Sequence, residues 1–121
     1  MPGFQSLKVW QHAHRLVLRV YQETRGFPTS EQYGLTSQMR RSAASIPSNL
    51  AEGLGRNTRA ELIRFSRIAL GSAFELQYQM ILARDLGYLD EKVARELADE
   101  CDHVSRMLRN FMKTLDQRPD E

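Results

Sequence analysis

Arginine, serine, asparagine and glutamate recur at helical spacing in this sequence, and the chemistry they suit is anion binding or internal ion pairing. Between Thr36 and Ile68 stand six arginines, Arg40, Arg41, Arg56, Arg59, Arg64 and Arg67, against two acids, Glu52 and Glu61. A guanidinium offers a planar fork of donors that matches a phosphate or a carboxylate with two bonds at once. Arg41, Ser45, Asn49, Glu52 and Arg56 step by four, four, three and four, so they line one side of a helix. Glu75 is the other oddity, an acid within the apolar run LGSAFELQ of residues 70–77. Two readings follow. In one, the polar groups satisfy each other inside the fold, Glu52 with Arg56 one turn apart and Glu75 with an arginine such as Arg41. In the other, the six arginines gather near residues 53–58 as an anion-binding surface, and the N-terminus of the helix that follows adds its partial positive charge.

Enzyme chemistry finds no foothold. His12 and His14 are two residues apart and face different sides of a helix, so they cannot chelate one metal together. There is no HExxH, and the single Glu-x-x-His pair, Glu100 with His103, is one where a di-iron bundle needs two, which removes the di-iron bundle enzymes. Cys101, the single cysteine, falls on an apolar helical stripe and reads as a small buried hydrophobe. The segment GLGRN (53–57) has neither the P-loop nor the dinucleotide-binding glycine pattern and follows a helix rather than a strand. The expectation is a non-enzymatic protein with no cofactor and no metal.

Composition agrees with a small soluble domain. The chain has 121 residues, 41% hydrophobic and 26% charged, with a net charge of +2. The charge is unevenly spread: eight basic side chains oppose three acidic ones in residues 1–60, and nine oppose twelve in residues 61–121. Such a dipolar chain can hold an anionic partner on one side and repel it on the other. No run of about 18 apolar residues is present, and the N-terminus lacks a signal-peptide core. One unpaired cysteine suits a reducing compartment, so a cytoplasmic location is expected.

Four helices must position these residues. Val9, Ala13, Leu16 and Val20 form the stripe of a first helix over about Leu7–Arg25, ended by Gly26 and Pro28. A second runs over about Leu35–Gly53 with Leu35, Met39, Ala43, Ile46 and Leu50 on one face. Pro47 lies inside it, and because the apolar spacing survives across the proline, a kinked but continuous helix is expected. Gly53 and Gly55 are candidates for positive φ in the connection, and Thr58 with Glu61 forms a capping box. The third helix, Arg59 to about Leu86, carries two apolar stripes. One is Leu62, Phe65, Ala69, Ser72, Leu76, Met80 and Ala83; the other is Ile63, Leu70, Phe74, Gln77 and Ile81. Two stripes exceed what a surface helix needs, so Ile63, Leu70, Phe74 and Ile81 are the candidate oligomer interface. Gly87 ends this helix and Asp90 caps the fourth, whose stripe runs from Val93 to Leu115; residues 117–121 are expected to fray. No strand alternation occurs. The whole, residues 1–121, reads as one all-α domain, an antiparallel up-down-up-down four-helix bundle.

LKVWQHA (7–13), Phe27–Pro28, YGLTSQMRRSAASIPSNLAEGLGR (33–56), LGSAFELQ (70–77) and LGYL (86–89) together resemble the 23S rRNA-intervening sequence proteins, a small bacterial family. The resemblance spans almost the whole chain. It implies a four-helix bundle assembled as a ring-like homopentamer, and it carries no catalytic residues. The accessory proteins of diversity-generating retroelements are similar in fold and use a basic surface to engage nucleic acid and a reverse transcriptase. Structured RNA such as rRNA, a second protein and further copies of the chain are therefore the expected partners. The competing expectation is a scaffold oligomer whose arginines are consumed in internal salt bridges.

Overall fold

The computed structural model describes residues 3–117. Four helices account for most of them: α1 (Lys8–Thr24), α2 (Leu35–Gly55), α3 (Arg59–Asp85) and α4 (Glu91–Asp116), with single 3-10 turns at Phe4–Ser6 and Thr29–Glu31. No strand occurs among the described residues. The expected fraying falls on residues 118–121, which lie outside the described residues, and on Gln117, which caps α4.

Each helix stops and starts for a local chemical reason. Gly87 takes φ 82°, and Gly87 N–H and Tyr88 N–H return to the Arg84 and Ala83 carbonyls at 3.0 and 2.9 Å, closing the end of α3. Asp90 accepts from Val93 N–H at 2.9 Å at the start of α4. Between α2 and α3 the left-handed residue is Asn57, with φ 62°, and not Gly53 or Gly55, both of which are helical. Thr58 accepts from Glu61 N–H at 3.2 Å, but Glu61 does not reach back. Its carboxylate instead accepts from Arg64 Nε at 2.6 Å, so only half of the expected capping box forms. Helix α2 begins after Gly34, which has no side chain to cap with. Glu31 fills that role from the preceding turn: one carboxylate oxygen accepts from Leu35 N–H at 3.1 Å and the other from the Tyr88 hydroxyl at 2.9 Å. That bond ties the α1–α2 loop to the α3–α4 loop, and Phe27 packs on the Tyr88 ring beneath it.

The helices close into a ring in which each touches its sequence neighbours and α1 touches α4. Cross-contacts fix the directions. Arg40 of α2 reaches Tyr21 and Thr24 near the end of α1. Ser42 and Ser45 of α2 meet Glu75 and Ser72 of α3, and Cys101 of α4 donates to the Ala73 carbonyl of α3 at 3.3 Å. Arg19 of α1 meets Glu96 and Glu100 of α4. Every adjacent pair is antiparallel. Leu16, Met39, Ile46, Leu50, Leu76, Met80, Leu97 and Leu108 are enclosed where the four stripes converge. A smaller cluster of Leu62, Ile63 and Leu115, flanked by Leu54 and Phe111, fills the end where α3 starts. Helix α2 runs unbroken through Pro47, which is buried among small residues.

Candidate nucleic-acid interface

Helices α2 and α3 are the most closely packed pair, and the cause is the run of small residues that α2 turns toward α3. Gly53 marks the tightest point: a Cβ there would lie 2.9 Å from Phe65 Cβ and 3.2 Å from Leu62 Cα. Further along, the seam is polar. Ser42 donates to Glu75 at 2.8 Å, the Ser45 and Ser72 hydroxyls meet at 2.8 Å, and Asn49 Nδ2 donates to the Ser45 carbonyl at 2.7 Å and its hydroxyl at 2.9 Å. Of the stripe legible in the sequence, Ser45 meets α3 and Asn49 bonds back to Ser45, while Arg41, Glu52 and Arg56 stay exposed. Ser42 of α2 and Ser72 of α3 complete the polar seam. The expected ion pair between Glu75 and Arg41 is absent: Ser42 holds the Glu75 carboxylate, and no carboxylate lies within ion-pairing distance of Arg41 among the described residues.

The six arginines do not form one cluster. Arg56, the residue that caps α2, stands fifteen positions after Arg41, about 22 Å along a helix axis, so Arg40 and Arg41 lie near one end of the bundle and Arg56, Arg59 and Arg64 near the other. Arg40 is committed to α1. Its Nε donates to the Thr24 hydroxyl at 2.9 Å, and its guanidinium rests over the Tyr21 ring, 4.6 Å from the centroid. Arg56 Nε bonds Glu52 at 3.1 Å and Arg64 Nε bonds Glu61, while both guanidinium groups lie against the Phe65 ring, 5.3 and 4.4 Å from its centroid. Their side chains stay 51% and 55% exposed. The Arg64 guanidinium holds the Glu61 carboxyl below the usual carboxylate range. Arg59 is half-buried, and Arg67 is exposed on α3. The pairs Arg56–Glu52 and Arg64–Glu61 use Nε only; the terminal nitrogens make no hydrogen bond among the described residues.

The second stripe of α3 divides. Ile63 is buried in the small end cluster beneath Leu115, because α4 extends far enough to cover it, and it is not available to a partner. Leu70 is half-buried against the main core. Phe74 and Ile81 are each nearly half exposed, and Tyr78, missed in the sequence because it sits off the stripe, is 61% exposed between them. Arg109 of α4 lies over the Phe74 ring at 5.2 Å.

Two other chemistry-bearing groups have structural surroundings. His12 and His103 meet across the α1–α4 seam with ring centroids 4.9 Å apart. Burial, then the positive charges of Arg15, His103 and Lys8, lower the His12 pKa. No three histidine, cysteine, aspartate or glutamate side chains gather to hold a metal ion among the described residues. Burial pushes the Cys101 thiol up to about 12, with Asp102 adding to the shift. No helix of the described residues is long and apolar enough to cross a membrane.

These features define a class: a single small antiparallel four-helix bundle, polar along its α2–α3 seam and arginine-rich where those two helices join. A family model for 23S rRNA-intervening sequence proteins matches residues 5–110, and the chain belongs to that family. Its fold is shared by a crystal structure of a protein with unknown function from the S23 ribosomal protein family of Bacteroides thetaiotaomicron VPI-5482. That protein is 21% identical, the match covers 87% of this chain and 98% of the other, and the TM-score is 0.78. The comparison with curated proteins finds no match.

Proposed function

We propose that this chain is a non-enzymatic, cytoplasmic RNA-binding protein that works as an assembly of identical copies and holds phosphates through arginines on α2 and α3. The observation that carries the reading is the state of four guanidinium groups. Arg41 and Arg67 are exposed with no partner among the described residues, and Arg56 and Arg64 keep their terminal forks unbonded. Those forks match a phosphate with two bonds. The family description ties the chain to intervening sequences of 23S rRNA, which makes structured RNA the first ligand to try.

Assembly is supported by Phe74, Tyr78 and Ile81, exposed along one flank of α3 with Leu70 beside them. The strip from Leu70 to Ile81 is about 16 Å long. Repetition of the arginines around a ring would multiply weak phosphate contacts into useful affinity. Arg40 favours the second reading, a protein-binding scaffold, since its Nε and one terminal nitrogen are taken by the Thr24 hydroxyl and the Tyr21 carbonyl.

Fluorescence anisotropy with a structured RNA separates the two readings. The parent binds with a strong salt dependence, and the double variant Arg41→Ala with Arg67→Ala weakens binding and lowers the log–log salt slope by about 2. Identical curves for parent and variant reject RNA binding through these residues. Sedimentation equilibrium tests assembly: Phe74→Asp with Ile81→Asp yields a folded monomer, and a parent that is monomeric at high concentration rejects the interface.

A further inference from the structure

A polar groove of about 410 Å³ lies between α2 and α3. Arg41 stands at it with no partner, and Glu75 faces the same space. Ser42, Ser45 and Ser72 line it with hydroxyls. Ser42 donates to Glu75 Oε1 at 2.8 Å, which orients the carboxylate and leaves Oε2 open. Gln79 also lines the groove, only 6% exposed, and its side-chain amide makes no hydrogen bond among the described residues. The enclosed atom is the acceptor Oε1, so what Gln79 can offer a ligand in the groove is its Nε2 donor.

We propose that this groove takes one unstacked guanine nucleotide of RNA, the base edge on Glu75 and Gln79 and a phosphate on Arg41. The proposal rests on the reading of the chain as an RNA-binding protein and names the base it selects. A lone phosphate at Arg41 is opposed by the nearby carboxylate, and a lone ammonium at Glu75 by the guanidinium. A nucleotide brings both complements, an anion and a donor-bearing edge, on one rigid frame. Among the bases, guanine sets N1–H and the N2 amino group side by side, two donors for one carboxylate, and its O6 accepts from the Gln79 amide. Cytosine offers a single amino group. Adenine places an acceptor beside its amino group, and uracil flanks its one N–H with carbonyl oxygens that a carboxylate repels. The volume lies at the small end of the range for ligand sites and suits one nucleotide rather than a duplex. Readout of an unpaired base by its Watson–Crick edge is the usual way in which proteins read RNA sequence.

The test is anisotropy at fixed salt with two single-stranded RNA hexamers, one all uridine and one carrying a single guanosine. The parent binds the guanosine hexamer about tenfold tighter, the size of one good two-bond base contact. Glu75→Gln, isosteric and checked for folding by its melting curve, abolishes the preference, while the all-uridine hexamer binds at least as tightly because the charge opposing its phosphates is gone. Arg41→Ala weakens both hexamers and lowers the salt slope by about 1. Equal binding of the two hexamers by the parent, or a preference that survives in Glu75→Gln, overturns the guanine site and leaves phosphate binding standing. Failure to bind either hexamer, or the structured RNA, overturns both readings.

Discussion

Gly53→Ala adds a single methyl group to a helix, which ordinarily stabilises it, yet here it should destabilise the bundle. The new carbon would lie 2.9 Å from Phe65 Cβ, 3.1 Å from Leu62 Cδ1 and 3.2 Å from Leu62 Cα. The first and last of these are fixed by the α3 backbone, so a side-chain rotation cannot relieve them. Helices α2 and α3 must part by several tenths of an ångström, and the Ser42–Glu75 and Ser45–Ser72 bonds lie along the same seam. Overpacking of this kind costs about 1–3 kcal/mol. Against it stands the propensity gain of alanine over glycine, at most about 1 kcal/mol and less this near a helix end. The net expectation is a loss of about 1–2 kcal/mol, or roughly 4–8 °C in Tm for a domain of this length. Gly55→Ala is the matched control: it is in the same helix, two residues on, with nothing within 4 Å of its added carbon. It should leave stability unchanged or raise it by up to about 0.5 kcal/mol. Urea unfolding of both variants at one protein concentration decides the matter. A Gly53→Ala protein as stable as Gly55→Ala would refute the close approach of α2 and α3.

Three further outcomes follow from single contacts. Arg19 joins α1 to α4 through Glu23 at 2.9 Å, Glu96 at 2.7 Å and Glu100 at 3.4 Å, and these carboxylates raise its already high pKa. Arg19→Met should lower stability by about 1 kcal/mol in low salt and by less in 1 M salt, as measured by urea unfolding. The Cys101 thiol, pushed up to about 12 and enclosed, should react with a thiol reagent only as fast as the protein opens, and at the free-cysteine rate once unfolded. Because the folded pKa of His12 lies below its ordinary 6.5, the unfolded chain binds the proton more readily. Stability is then complete above pH 6.5 and falls as the pH drops through that value, and His12→Gln should flatten the decline seen in melts between pH 7.5 and 5.5.

Periodicity made the bundle legible, because apolar stripes at steps of three and four leave little choice of element, and Gly87, Asp90 and Thr58 mark ends by chemistry that acts within a few residues. Gly53 shows where that reasoning stops. A glycine that opens a turn and a glycine that lets two helices touch look the same in a sequence, and only Phe65 and Leu62 across the seam tell them apart. Ile63 fails for a similar reason: whether a second stripe is wet depends on how far α4 reaches, and Leu115 reaches it. The meeting of His12 with His103 needs the register of α1 against α4, which no local pattern contains. The spread of the arginines, by contrast, was available from the helix rise alone, since one unbroken α2 must hold Arg41 and Arg56 about 22 Å apart.

That separation changes what the arginines can do. A single anion cannot bridge Arg41 and Arg56, but the phosphates of an RNA strand recur every few ångströms and can meet both. The glutamates beside Arg56 and Arg64 do not cancel this. Exposed ion pairs are weak and screened by salt, and each here occupies Nε alone. Held at Nε and laid against the Phe65 ring, the two guanidinium groups lose side-chain freedom before any ligand arrives. Internal pairing and phosphate binding are therefore compatible at this corner: Glu52 and Glu61 set the direction of forks whose outer nitrogens remain to be used.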